Sequence, residues 1–382
     1  MTTTPLLLSS PRDLLASIPY QLGFVPVDSL VVVHLDSAAE PGAPRDGGSE
    51  VPGHGPAVPG RLGVTALARV DLPPPGPAGE REVVRALTAT AAACAPWAVV
   101  AVYDATGVER GGPLPRRSLL GALTRALAVS GAQVLDAWHV GARTYRSYLC
   151  DGARGCCPAP GWPVGELTGG TVPAEAVWRG LVAAPSRADV LPDLTLAGEH
   201  VREAVRRAGA SAAPPSCADG RTAWRAGAWR DWRLVRERYR RGGPGVDVTE
   251  SARLLAAVRD VSVRDAALVD LAAGAAVLAD RVAAGGAPGA VADALSRPPV
   301  PGDVAATVRL ACDLAARCDG AAGAAALAVA AWASWWGGSC VVAGECAAEA
   351  LRRDPGHSLA ALVARAVTTG LAARAVSGRR PT

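Results

Sequence analysis

The sequence predicts an α/β N-terminal domain, a mixed sheet with covering helices, followed by a mostly α-helical C-terminal region. Three observations predict it. Up to Cys150, short β-branched runs alternate with helix-spaced apolar stripes. Beyond Asp151 a Cys/Pro/Gly loop gives way to almost continuous helical patterning. The 382 residues, 50% hydrophobic and 19% charged, hold enough apolar material for about two cores. The expected division is residues 1–170 for the α/β domain and 171–382 for the helical region. The first carries a mobile insertion at about 40–60, and the second has breaks near 210–220 and 242–245.

Ser10-Pro11-Arg12-Asp13 reads as a capped helix start, with Leu14, Leu15 and Ile18 on its apolar face and Pro19 as its stop. The turn Val25-Pro26-Val27-Asp28 leads into Leu30-Val31-Val32-Val33, a run typical of a strand buried on both faces. Residues 40–60 are Gly, Pro and polar without periodicity, hence the insertion. A strand over 62–72, a helix within 78–95 and a strand over 97–103 follow. Leu119, Leu120, Leu123 and Leu127 then share one helical stripe. Strands over 134–140 and 144–150 flank Gly141 as a hairpin. In the second half, Gly and Pro at 285–289, 298–302 and 337–338 punctuate short Ala/Leu/Val helices. The last pair, with Ala347-Ala348-Glu349-Ala350-Leu351-Arg352-Arg353-Asp354-Pro355, resembles one tetratricopeptide-like hairpin, too little for a solenoid.

The choice of residues narrows the chemistry. Lys and Asn are absent, and Ile, Phe and Met occur once each, the pattern of a GC-rich bacterial genome. Without Lys, a Walker-type phosphate loop, a Schiff-base enzyme and a protein kinase are excluded, and a papain-type site lacks its Asn. No Gly-x-Ser-x-Gly elbow, His-Glu-x-x-His or dinucleotide-binding glycine turn is present. Net charge of +4 implies no obligate nucleic-acid or membrane partner. Nine cysteines without a secretory leader suit reduced thiols, so a cytoplasmic location is expected. The uncharged stretch 320–344 is broken by Gly337-Gly338 and reads as a buried helical hairpin rather than a membrane span.

A family resemblance rests on longer strings. Arg12-Asp13-Leu14-Leu15-Ala16-Ser17-Ile18-Pro19-Tyr20-Gln21-Leu22-Gly23-Phe24, then Asp28-Ser29-Leu30-Val31-Val32-Val33 and Arg69-Val70-Asp71-Leu72-Pro73, resemble the opening of the actinobacterial family called domain of unknown function 4192 (DUF4192). Ser147-Tyr148-Leu149-Cys150 with Cys156-Cys157-Pro158, Ala174-Glu175-Ala176-Val177 and Pro185-Ser186-Arg187 resemble its central block. The Ala/Trp-rich hairpin ending in Asp354-Pro355 resembles its C-terminal block. The resemblance implies no particular activity.

Three sets of residues are candidate sites. Cys150, Cys156 and Cys157 place three thiols within eight residues, with Tyr148 and Arg187 as further pocket candidates. Zinc there would need a fourth ligand. With the hairpin centred near Ala142, His139 faces Tyr145 and stands roughly 17 Å from Cys150. No metal site or cofactor is therefore expected; a reversible disulfide and a plain structural loop are the other readings. The second set is the helix over 221–241, with eight Arg among Trp224, Trp229, Trp232 and Tyr239. Arg225, Arg233 and Arg236 are its basic-surface candidates for a polyanion. The competing reading makes Trp224, Ala228, Trp232, Val235 and Tyr239 a core stripe, with Arg on the solvated side. The third set is the cluster Tyr20, Asp28 and Ser29, with Asp104 at the end of a later strand; if the strands ran parallel, Asp28 and Asp104 would sit at opposite ends, leaving Asp28 a turn-former. His34, His54, His200 and His357 show no pairing that suggests a metal or a triad.

The leading expectation is a non-catalytic interaction or regulatory protein whose partner is a protein rather than nucleic acid. An enzyme or small-ligand binder near the Cys loop, and a polyanion contact through 221–241, are the alternatives.

Overall fold

In the computed structural model, residues 10–37, 62–91, 96–105, 113–150, 158, 161–178, 181–286 and 289–369 are described. The insertion expected at 40–60 and both Cys156 and Cys157 lie outside them. The chain forms two compact units, Met1–Val190 and Leu191–Thr382.

The first unit is a six-stranded mixed sheet. Its strands are β1 (Ser29–Ser37), β2 (Leu62–Asp71), β3 (Trp97–Tyr103), β4 (Gln133–Val140), β5 (Thr144–Ser147) and β6 (Trp162–Pro163), in spatial order β2-β1-β3-β4-β5-β6. Only β3 and β4 are parallel, joined by a crossover through α3 (Arg117–Val129); the other neighbours are antiparallel. Helices cover both faces. Leu14, Leu15 and Ile18 of α1 (Pro11–Leu22), with residues of α4 (Gly165–Thr168) and α5 (Thr171–Trp178), pack on Val31, Val33 and Leu35. Leu87 of α2 (Pro77–Ala91) and Leu119, Leu123 and Leu127 of α3 pack on Leu30, Val32 and Val100. This explains why β1 is apolar at successive positions: each of its sides meets a core.

Three local expectations are corrected. Pro19 does not stop the first helix, which runs to Leu22 and ends where Gly23 (φ 83°) donates its amide to the Pro19 carbonyl at 2.8 Å. The buried face of Leu15 and Ile18 outweighs the hydrogen bond that proline cannot make, and the left-handed glycine provides the stop. The hairpin register is one residue from that expected, His139 standing opposite Arg146. Residues 171–178 and 181–190, grouped with the helical half by composition, belong to the unit of the sheet: Ala184 bonds the backbone of Gly23 and Val25.

His34 is fully buried in β1 between Ala66 and Ala98, and neither ring nitrogen finds a partner among the described residues. Burial pushes its pKa below the ordinary 6.5. The unfolded chain takes up a proton near 6.5 that the fold resists. The stabilisation from neutral His34 is therefore full above that value and is lost as pH falls below it toward the folded one. His34→Leu is expected to add about 1 kcal/mol at neutral pH and to flatten the fall in stability between about pH 6.5 and 5.5. Urea unfolding at the two pH values checks this; an unchanged slope would mean that the ring is not held neutral by the fold.

The second unit is helical. It comprises α6 (Glu199–Ala212), α7 (Ala218–Arg240), α8 (Val248–Arg259), α9 (Val261–Val269), α10 (Ala276–Ala283), α11 (Val291–Leu295), α12 (Pro301–Ala316), α13 (Gly320–Trp336), α14 (Cys340–Arg353) and α15 (Ser358–Thr368). Asp247 and Glu250 form a capping box on α8, and Asp260 caps α9 through the amides of Ser262 and Val263. The uncharged stretch becomes α13, buried almost all round and packed against α14 after a turn through Gly338 (φ 90°). Among the described residues, no helix is long and apolar enough to cross a membrane.

Candidate functional site

The densest polar cluster of the first unit lies at the carboxyl ends of the parallel strands β3 and β4. The sheet topology creates it. Because β1 is antiparallel to β3, with Ser29 opposite Tyr103, Asp28 and Ser29 come to the same end as Asp104. The separation expected from parallel strands is overturned. Asp28 (φ 42°) and Arg116 (φ 60°) are, among the described residues, the two non-glycine residues in left-handed backbone, and both stand at this end. Such strain persists where surrounding contacts fix it. Arg116 Nε bonds the buried Asp104 carboxylate at 3.0 Å and its Nη1 bonds the Pro73 carbonyl at 2.8 Å. Asp28 Oδ1 is 3.5 Å from the Ala105 amide.

Tyr148, one of the pocket candidates, belongs to this cluster. Its hydroxyl donates to the Pro115 carbonyl at 2.8 Å, and its ring meets the edge of His139 with centroids 6.2 Å apart. Burial first, then the Asp104 charge, raises the Tyr148 pKa far above the ordinary phenol value. The His139 ring donates to the Asp104 carbonyl; burial lowers its pKa, opposed by the Asp104 charge and by that bond. With Nε2 the unpartnered atom, Nδ1 is the donor.

The parts for nucleophilic catalysis are not assembled among these residues. Ser29 Oγ donates to the Val27 carbonyl at 2.6 Å and accepts from Arg69 at 2.7 Å. Tyr148 spends its proton on a carbonyl, and the Asp104 carboxylate on Arg116. No hydroxyl here faces the histidine as a nucleophile would face its base.

The other candidates lie elsewhere. Cys150 is half-buried just past the end of β5, while its two companions fall outside the described residues. Arg187 is half-buried in a turn held by Ser186 and Asp189, whose carboxylate accepts the Ser186 amide and hydroxyl at 2.9 and 2.8 Å. Among the described residues, no group of His, Cys, Asp and Glu is arranged to hold a metal ion.

The Arg/Trp helix became α7. Trp229, Trp232, Val235 and Tyr239 face the core, while Trp224 is half-buried and donates to the Ala212 carbonyl at 3.1 Å. The three basic-surface candidates each meet an acid outside α7, two flanking α9 and one on α10. Arg225 Nη2 is 2.9 Å from Asp260 at the start of α9, Arg236 is 2.7 Å from Asp270 past its end, and Arg233 is 3.3 Å from Asp280 on α10. Arg236 is only 11% exposed. Arg225 and Arg236 are internal fasteners, while Arg233 sits in an exposed surface pair.

The family model described as "Domain of unknown function (DUF4192)" matches residues 11–374. The chain belongs to the DUF4192 family. The match covers nearly the whole sequence and both units, so in this DUF4192 protein the strand-end cluster and α7 both lie within the family region. No match is found among curated proteins or solved structures.

Sequence reasoning weighed Asp104 and His139 separately and missed Arg116 and Arg146. The available signal was alternation: once His139 pairs with Arg146, both point to the sheet face that carries Tyr148.

Proposed function

We propose that the protein is a non-catalytic cytoplasmic interaction or regulatory protein that docks a protein partner. One observation carries this reading. At the end of α5, Trp178 is 85% exposed, flanked by Val177 at 61% and Val182 at 76%, with Leu181 beside them. A ridge of this kind is costly in water, and tryptophan at its centre is the residue most enriched at binding hot spots. Two further observations support it: the strand-end hydroxyls are spent on backbone carbonyls, and Arg225 and Arg236 of α7 on buried acids, which weighs against a polyanion partner.

The test is a photo-crosslinking residue placed at 177, 178 or 182 of the full chain, expressed in a GC-rich bacterial host. A discrete protein adduct is expected at these positions and should disappear when Leu181→Asp is added. Absence of any adduct from all three positions, in protein that unfolds with wild-type cooperativity, would sink the reading.

A further inference from the structure

The sheet face under α2 and α3 carries unmet polar demand that a partner on the Trp178 ridge would not satisfy. His139 and Arg146 are cross-strand partners on β4 and β5, so both side chains leave the same face with Cβ atoms about 5 Å apart. That face is the α2/α3 side, because Ala137 and Tyr148 belong to its core. His139 is 2% exposed. Among the described residues, no hydrogen-bond partner reaches its Nε2 or the buried Nε of Arg146, and no carboxylate pairs with the Arg146 guanidinium.

The surrounding charges are already committed in part. Asp104 on β3 is held by Arg116, Glu80 on α2 reaches the Ser118 hydroxyl at 3.2 Å, and Asp28 faces the Ala105 amide. Arg116 uses Nε and Nη1, which leaves Nη2, and α3 starts without a side-chain cap on its first amides. Arg116 and Arg117 are close enough to act on Tyr148, which touches His139. A water would satisfy one ring nitrogen. A half-buried guanidinium without a carboxylate is a larger debt, best met by an anion.

We propose that this strand end binds a small oxyanion, a phosphate or carboxylate group, held by Arg146, His139 and the open edge of Arg116 at the start of α3. Helix N-termini at the carboxyl ends of parallel strands suit such groups. Neutral His139, with Nδ1 engaged, offers Nε2 as an acceptor; one proton taken from solvent converts it to a donor. Anion binding and uptake of that proton are therefore coupled.

Calorimetric titration of the full chain tests this with sulfate and with acetate against chloride at matched ionic strength. The charge of neither probe changes between about pH 6 and 8. Binding above the chloride background is expected, about tenfold tighter at the lower pH. Arg146→Gln is expected to weaken it about tenfold, and His139→Gln to bind without the pH dependence. Preference for sulfate assigns a phosphoryl group and preference for acetate a carboxylate. No binding of either probe to the wild-type chain overturns the proposal, as does binding that Arg146→Gln leaves unchanged. The wild-type titration decides even if a variant does not fold.

Discussion

Gly323→Ala is expected to destabilise the helical unit by about 4 kcal/mol. A Cβ at this position would overlap the Cys318 carbonyl oxygen and stand 2.9 Å from Arg353 Nη1. The nearer obstacle is backbone in the turn that feeds α13, so no side-chain rotation relieves it. That carbonyl also accepts from Arg353 Nη1 at 3.1 Å, so moving it would break a second contact. Gly344→Ala on α14 is the control. Its Cβ would meet Val367 at 3.5 Å, ordinary contact, and alanine is the better helix former by about 1 kcal/mol. Urea unfolding of the two variants should move in opposite directions. A Gly323→Ala protein within about 1 kcal/mol of wild type would show that the turn yields more readily than its packing implies.

The contrast between these glycines also shows what the sequence makes legible. Both lie in Ala-rich helical stretches, and periodicity alone gives them equal weight. The elements themselves were readable because each is written locally: the strand Trp97–Tyr103 is a continuous apolar run, and α3 repeats leucine at helical spacing. Strand direction is not written locally. A run such as Leu30-Val31-Val32-Val33 reads the same whether it pairs parallel or antiparallel, so the meeting of Asp28 with Asp104 stayed hidden. The α7 arginines were ambiguous for a related reason. Their acids, Asp260, Asp270 and Asp280, lie on or beside other helices, and only the packed bundle shows that they meet. Pro19 misled because its local signal was strong while the buried face that overrides it is tertiary.

Arg353→Met is expected to cost about 3 to 5 kcal/mol, because it removes one partner of a buried ion pair and strips several carbonyls at once. The side chain is only 6% exposed. It bonds Glu349 at 2.6 Å, the Ala315 and Cys318 carbonyls at 2.6 and 3.1 Å, and the Leu194 carbonyl at 3.3 Å. Ala315 lies in the last turn of α12, where its carbonyl meets turn amides such as that of Cys318 at 3.4 Å, and the guanidinium adds a shorter bond that caps the C-terminal end of the helix. Arg353→Lys keeps the charge but offers no planar fork to these divergent acceptors, and should recover less than half of the loss. The acid limb gives an independent signature. Burial pushes the Glu349 pKa up, but hydrogen bonds from Arg352 and Arg353 outweigh it and hold the carboxyl below its ordinary 4.5. The stabilisation from ionised Glu349 is present above that unfolded value and is lost as pH falls through the lower folded one. In Arg353→Met this dependence should shrink, while added salt should leave the wild-type contribution nearly unchanged because the pair is shielded from solvent. A full acid dependence in the variant, with stability near wild type, would show that Arg352 alone sustains Glu349 and that the α12 carbonyls need no cap from α14.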